Sequence, residues 1–292
     1  MTRKPQKPTP PPPAANAPPR GLHFAESDLL GQLTVNEGST LWLGRYTVAQ
    51  IERALERCGL LAALSQQGLG DFIIRIEPFE EFDQALRLYC HAPAPENLIG
   101  EARLREIEFG PDTRMPETFS AEPPRMLAIN WLLMQNPYAT FAPNRPQLPG
   151  QLHPGLGQAR RVTQLLVDLC RRRRLAGILN FPEYFHNAYL YRDYFHFYDP
   201  AREGNLLALH RDLSPMQLAD MSWAIEAGCV RLKATGERFE WTSAVQILPV
   251  LETISDYFSS PAYRQRGEEV RAAQQFILDQ AEYKQFQVSR RE

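Results

Sequence analysis

Residues 185–198, FHNAYLYRDYFHFY, place seven aromatic rings and two histidines in one short segment. Four of the rings are tyrosines, and Asn187 lies near the start of the segment. Tyrosine, histidine and asparagine side chains form hydrogen bonds, so these residues can line a ligand site as well as fill a core. The sequence leaves two interpretations open: a core helix that leads into a strand, or one wall of a ligand site.

A second candidate is the turn HPGLG, residues 153–157, which comes just before a predicted helix. The first turn of a helix presents free backbone N–H groups, and the helix dipole favours an anion there. Because glycine has no Cβ, Gly155 and Gly157 would let a pyrophosphate group approach the backbone closely. A tight turn without a ligand is the competing interpretation.

The histidines and cysteines raise the question of a metal site. Glu183 and His186 form an E-x-x-H pair, which occurs twice in carboxylate-bridged metal sites of helical bundles. This sequence has no second pair, and His153, His196 and His210 lack a matching spacing. The cysteines, Cys58, Cys90, Cys170 and Cys229, lie far apart and form no C-x-x-C motif. We therefore expect no metal site and no disulfide, but buried reduced thiols.

Two predicted strands and a helix must position these candidates. Residues 124–137 contain the longest apolar run, which predicts a strand buried on both faces near the sheet centre. Residues 175–182 predict the next buried strand. Between them lie a loop rich in proline and glycine, residues 136–157, and a helix whose apolar residues recur with a helical period. Its aromatic and apolar side chains suggest that this loop is ordered.

The remaining elements predict a mixed α/β fold. Thr47 and Gln50 have the spacing of a capping box and predict the start of a helix. Strands are predicted within residues 39–46, 71–78, 87–90, 101–109 and 195–198. The last third predicts a helix that begins near Ser214, a hairpin over residues 229–241, and helices over residues 242–258 and 270–281.

The order of the central elements resembles the GNAT superfamily of N-acyltransferases. In that family a central strand precedes a Q/R-x-x-G-x-G/A loop and a helix, and a further strand and an N-x-x-A segment with a tyrosine follow. The matching positions here are Gln151, Gly155, Leu156, Gly157, Asn187, Ala188 and Tyr191. Gln151 lies four residues before Gly155, one more than in the family motif. The resemblance covers roughly residues 124–198, and residues 41–58 match the family's first strand and helix.

The resemblance implies an acyl-CoA-dependent N-acyltransferase with acetyl-CoA or another acyl-CoA as co-substrate. The loop from Gln151 to Gly157, with Arg160 or Arg161, would bind the pyrophosphate. Asn187 would contact the pantetheine arm, and Tyr191 would protonate the departing thiolate as a general acid. A carboxylate or a water relay would deprotonate the amine, with Glu106, Glu108 and Glu183 as candidates. A GNAT-like binding or scaffold protein without catalytic activity is the alternative.

Composition narrows the class of partner. The formal net charge is −2, and 43% of the 292 residues are hydrophobic. Arginines 171–174 are not interleaved with aromatic residues, and the protein as a whole has a net negative charge. We therefore do not expect it to bind nucleic acid. Residues 1–25 form a proline-rich tail that we expect to be disordered. We expect a GNAT-like domain over residues 26–203 and a helical extension with a hairpin over residues 204–292.

No apolar run reaches the length of a membrane span, so the sequence predicts a cytoplasmic protein that does not bind membranes. Its acceptor would be a small-molecule or protein amine. Whether the chain forms a homodimer stays open.

Overall fold

The computed structural model describes residues 41–80, 83–110 and 123–290. Its helices are α1 (Val48–Arg57), α2 (Leu60–Ser65), α3 (Ala159–Arg173), α4 (Phe185–Leu190), α5 (Pro200–Leu213), α6 (Leu218–Glu226), α7 (Glu252–Ser259), α8 (Pro261–Ala273) and α9 (Gln280–Ser289). Its strands are β1 (Phe72–Glu80), β2 (Asp83–Cys90), β3 (Leu98–Glu108), β4 (Arg125–Met134), β5 (Gly177–Asn180), β6 (His196–Phe197), β7 (Val230–Leu232), β8 (Gln246–Pro249) and β9 (Phe276–Leu278). The proline-rich segment, residues 1–25, lies outside the described residues.

Seven strands form one mixed sheet in the order β1-β2-β3-β4-β5-β8-β6. Only β4 and β5 run parallel to each other, and α3 connects them; the other neighbours are antiparallel. A second, two-stranded sheet pairs β7 with β9. The mixed α/β class and the central position of β4 confirm the prediction from the sequence.

One face of the sheet is covered by α1, α2 and α3. Thr47 and Gln50 form the predicted capping box at the start of α1, and Ile51 and Leu55 are its buried residues. They pack in the same cluster as Leu166 of α3 and the strand residues that alternate toward this face, which are Ile99, Leu104, Leu127, Ile178 and Leu248. Successive side chains of a strand point to opposite faces of the sheet, so each strand can contribute residues to the clusters on both faces.

The opposite face of the sheet packs against α7 and α8. Met126 and Ala128 of β4, with Leu179 of β5 and Ile247 of β8, contact Ile254, Phe258 and Tyr263. A third cluster joins Phe185 and Ala188 of α4 to Phe197 of β6 and to residues of α5 and α6. The aromatic segment therefore contributes its phenylalanines to the core, as the first interpretation expects.

Four segments differ from the prediction. The helix expected to begin near Ser214 begins at Leu218, and Ser214 instead follows the last residue of α5. Residues 242–258 are not one helix: Gln246–Pro249 form β8, and the helix begins only at Glu252. Residues 41–46 form a tight turn closed by a bridge between Trp42 and Tyr46 rather than a strand. The helix predicted over residues 270–281 is interrupted: α8 ends at Ala273, and Ile277 belongs to β9. Each of these segments is short, so its partners decide its conformation.

The C-terminal third also supplies part of the main sheet. β8 lies between β5 and β6 and pairs with both. The predicted hairpin is present as a turn in which the Phe239 N–H donates to the Val230 carbonyl, but the strand partner of β7 is β9. No helix within the described residues has the length and apolar character needed to cross a membrane.

Candidate functional site

The central strands β4 and β5 stay paired over a short distance only. Met126, Leu127 and Ala128 pair with Gly177, Ile178 and Leu179. β5 ends one residue later, whereas β4 continues to Met134. The register of β3 against β4 shifts so that Asn130 is an extra residue in β4, and such a bulge bends a strand. Beyond Ala128, β4 therefore has no strand partner on its β5 side among the described residues.

The predicted loop, residues 136–157, returns to the end of β4. Gly155 forms an antiparallel bridge with Gln135, and the Asn136 N–H donates to the Pro154 carbonyl at 2.7 Å. The Gln151 side chain stays inside the loop, where its Oε1 accepts from the Leu148 N–H at 3.2 Å. These contacts confirm that the loop is ordered and hold Gly155 beside β4.

The far part of the loop is fixed by α4 and α6. The Trp223 indole N–H donates to the Gln147 carbonyl at 2.8 Å. Gly150 has a φ of +74°, and a Cβ there would lie 2.6 Å from the Tyr184 ring. A side chain at this position would meet both a strained backbone and a clash, so glycine allows the loop to approach α4 closely.

A groove of about 650 Å³ lies at the N-terminus of α3. Gly157, Gln158, Arg160 and Arg161 line it together with Cys58, which follows α1. Gly157 has a φ of +68° and no atom within 4 Å of an added Cβ. Gln158 forms no capping hydrogen bond, so the first N–H groups of α3 have no capping side chain. The positive end of the helix dipole thus opens toward the groove.

The two arginines of the groove differ in their contacts. Arg161 donates to the Gln158 Oε1 at 3.0 Å and to the Cys58 carbonyl at 3.3 Å, and it thereby joins α1 to α3. Arg160 is exposed and forms no hydrogen bond or ion pair within the described residues. Arg160 is consequently the guanidinium that an anion can recruit without breaking an existing contact.

The structure brings part of the predicted coenzyme site together. Gly157, Arg160 and Arg161 line the groove, and Gly155 lies between the groove and β4. Leu156 is buried beneath them, and its carbonyl accepts a hydrogen bond from the Gln67 side chain at 3.1 Å. The Gln151 side chain does not line the groove, because it accepts a hydrogen bond within its own loop.

Asn187 and Tyr191 lie on and just after α4, four residues apart, and four-residue spacing places two side chains on one side of a helix. Neither side chain forms a hydrogen bond within the described residues. The Tyr191 ring packs against the cluster that contains Leu156 and contacts Phe195 edge to face. Burial raises the pKa of Tyr191, so the phenol keeps its proton at neutral pH.

Glu106 lies at the opposite end of α3. Its carboxylate accepts hydrogen bonds from Arg173 at 2.6 and 2.9 Å and also pairs with Arg125. Burial alone would raise its pKa, but the hydrogen bonds and charge of Arg173 and the charge of Arg125 hold it below the usual value. These contacts are those of a structural ion pair, and the structure does not bring Glu106 to the groove.

Glu183 has a different environment from Glu106. It is half-buried just after β5, and it has no cationic partner within the described residues. Burial, followed by repulsion from Glu226, raises its pKa, and a hydrogen bond links it to Tyr184. The pKa of Glu183 is therefore displaced in the direction opposite to the lowered pKa values of Glu106, Asp212 and Asp279. Among the carboxylates named from the sequence, it has the character of a proton acceptor.

Several buried polar groups near α4 could not be identified from the sequence. Gln246 of β8 is fully buried with both amide atoms unpaired, and its cross-strand partner Asn180 has an unpaired Oδ1. His186 and Ser222 are buried with one unpaired atom each. Only a strand assignment for residues 246–249 would have placed Gln246 beside Asn180.

No group of three or more metal-ligating side chains is found among the described residues. Burial lowers the pKa of His186 to about 4, and its ring stacks on that of Tyr184.

The chain matches no protein-family model, and no curated protein and no solved structure matches it.

Proposed function

We propose that the protein is an acyl-CoA-dependent N-acyltransferase with a GNAT-like fold. The proposal rests on three features that the loop ending at Gly157 connects into one path, since Gly155 bridges to β4 and Leu156 packs in the same cluster as Tyr191. These are the uncapped N-terminus of α3 with Arg160, the edge of β4 left without a strand partner, and the helix that carries Asn187 and Tyr191. An acyl-CoA is a long ligand with an anionic end and a reactive end, and this path offers contacts for both.

Each part of the path suits one part of the co-substrate. The N–H groups of α3 and Arg160 would bind the pyrophosphate. The backbone of β4 beyond Ala128 would form hydrogen bonds with the amide groups of the pantetheine arm, as a sheet edge does with an added strand. Asn187 would contact the same arm from α4, and the thioester would lie near Tyr191.

Tyr191 is suited to the transfer step because its phenol is protonated. After the amine has lost a proton to a carboxylate or to water, its nitrogen attacks the carbonyl carbon of the thioester and a C–N bond forms. The C–S bond then breaks, and the sulfur leaves with the electron pair and takes the Tyr191 proton. The nitrogen returns its surplus proton to the phenolate, so Tyr191 ends the cycle protonated.

Binding measurements test the coenzyme site without knowledge of the acceptor. Acetyl-CoA and S-acetylpantetheine share the thioester, but only acetyl-CoA has the pyrophosphate. We expect acetyl-CoA to raise the melting temperature of the protein. Arg160→Glu should weaken acetyl-CoA binding by about tenfold or more in calorimetry, with S-acetylpantetheine affected little.

Arg172→Glu is the matched control, because Arg172 is an exposed arginine at the other end of α3. This variant should bind acetyl-CoA as the wild type does. Absence of any thermal shift at millimolar acetyl-CoA, or equal losses in the two variants, would contradict the proposed coenzyme site. Tyr191→Phe should bind acetyl-CoA normally and lose turnover.

A further inference from the structure

The strand β1 forms one edge of the seven-stranded sheet. It pairs with β2 on one side, and no described strand pairs with its other side. The Asp71 carbonyl accepts a hydrogen bond from the His91 N–H and so faces β2. Because backbone groups alternate in direction along a strand, the N–H groups of Phe72, Ile74 and Ile76 then face the free edge. None of the three donates to a described residue there.

The sequence of β1, FIIRIEPFE, is long and mostly apolar for an edge strand. Such an edge pairs readily with another strand, and proteins usually interrupt it or place charges on it. Pro78 removes one N–H near the end of β1, but the run from Phe72 to Ile76 keeps every N–H. The first part of β1 is therefore suited to receive another strand.

The side chains of β1 divide between the two faces of the sheet. Phe72, Ile74 and Ile76 pack against the cluster formed with α1 and α2. Since successive side chains point to opposite faces, a second set lies on the other face, namely Ile73, Arg75, Glu77 and Phe79. Both charged side chains of the strand that could meet a partner thus lie on the same face.

Arg75 is an exposed cation without a carboxylate partner within the described residues. Its cross-strand neighbour in β2 is Arg87, a second cation. Glu77 and Glu101 both pair with Arg87, and Glu77 uses only its Oε2 for this contact. Like charges that face each other on neighbouring strands destabilise a sheet. A carboxylate brought to the free edge would therefore stabilise this part of β1.

A second copy of β1 can supply that carboxylate. In an antiparallel pair with two-fold symmetry, a residue on the axis faces itself, and its two neighbours face each other. With Ile76 on the axis, Arg75 lies opposite Glu77 of the second copy, and the contact occurs twice. With Arg75 or Glu77 on the axis, like charges would meet. The register centred on Ile76 also places Ile73 opposite Phe79, which joins two apolar side chains.

We propose that β1 pairs with β1 of a second copy of this chain, antiparallel and with the two-fold axis at Ile76. The Ile76 N–H of each copy donates to the Ile76 carbonyl of the other, and the two seven-stranded sheets continue across the interface. Arg75 pairs with the Oε1 of Glu77 in the second copy. Pro78 opposes Ile74, so its missing N–H costs one hydrogen bond on each side. This inference does not depend on the proposed acyl transfer.

Sedimentation equilibrium of the full chain over a range of concentrations measures the association. The strand has nine residues, fewer than the roughly 20–30 that each partner contributes to a standard interface, so we expect a dimer of micromolar affinity. Arg75→Glu replaces two attractions by two repulsions and should raise the dissociation constant by about tenfold. Arg172→Glu is the matched control, because it makes the same change of charge at an exposed position on α3. It should leave the dissociation constant unchanged.

Single cysteines test the register. Ile76→Cys places two thiols opposite each other on the axis, where a Cα separation of about 5.5 Å suits a disulfide. Ile74→Cys lies on the same face, but it would be about 14 Å from its counterpart in the second copy. Under mild oxidation we expect a covalent dimer from Ile76→Cys and none from Ile74→Cys. The wild type gives the background from the four native cysteines.

Three results would overturn the inference. The first is a protein that stays monomeric at every concentration, which would mean that the edge is unpaired or is covered within one chain. The second is a dimer whose dissociation constant is the same after Arg75→Glu. The third is equal cross-linking of the two cysteine variants, which would place the contact elsewhere or in another register.

Discussion

His186 gives the stability of the protein a specific dependence on pH. The residue is 3% exposed, and burial lowers its pKa from 6.5 to about 4. Between these values the unfolded chain takes up a proton that the folded chain refuses, so the free energy of unfolding falls as the pH falls. Above pH 6.5 both states are neutral at this position and the effect vanishes. A shift of this size corresponds to about 3 kcal/mol.

His186→Phe tests this value because phenylalanine keeps a flat ring against Tyr184 but does not titrate. Urea unfolding of the wild type and the variant is measured at intervals from pH 7.5 to pH 4, and the difference between the two free energies is plotted. The wild type should lose about 3 kcal/mol more than the variant over this range. His153→Phe makes the same change at a loop position that is not fully buried and is the matched control.

Taking the difference removes the titration of the carboxylates, which is common to both proteins. If the wild type and His186→Phe lost stability in parallel, His186 would titrate as it does in the unfolded chain. The burial of His186 in α4, and with it the described packing of α4 against the loop, would then be wrong.

Three further predictions concern packing, the ion pair and the groove. Gly204→Ala should destabilise the fold by about 1–3 kcal/mol, because the new Cβ would lie 2.4 Å from the Gly267 carbonyl oxygen between α5 and α8; thermal unfolding measures this. Glu106→Gln should lower the free energy of unfolding by about 1.5–3 kcal/mol at pH 7. The difference from the wild type should shrink as the pH falls below about 4, because a carboxyl group with a lowered pKa stabilises the fold only while it is ionised. Gly157→Ala should cost about 1 kcal/mol through its positive φ and weaken acetyl-CoA binding in calorimetry.

The sequence predicted those elements whose signals are local. The capping box at Thr47 and Gln50 fixes the start of α1 from side chains three residues apart. The apolar period of residues 162–170 predicts α3 and its buried Leu166 and Cys170. The long apolar run over residues 124–137 predicts a central strand, and β4 is the middle strand of the seven.

The elements that the sequence did not predict depend on distant partners. Gln246–Pro249 become a strand because β5 and β6 are both available on either side, and neither is near in sequence. Ile277 leaves the helical pattern because β9 pairs with β7. The same reason explains why the buried polar groups were not predicted: Gln246 pairs with Asn180, 66 residues earlier in the chain, and no local pattern encodes that contact.

Glu106 and Gly157 show how the two ends of one helix divide structure from binding. Glu106 fixes the C-terminal end of α3 to β3 through Arg173, where the cation also suits the negative end of the helix dipole. The helix has 15 residues and so spans about 22 Å to Gly157. Because a helix is stiff over this distance, anchoring one end sets the direction of the other. The carboxylate named from the sequence as a proton acceptor thus has a structural reason to be present, since it orients the N–H groups that we propose bind the coenzyme.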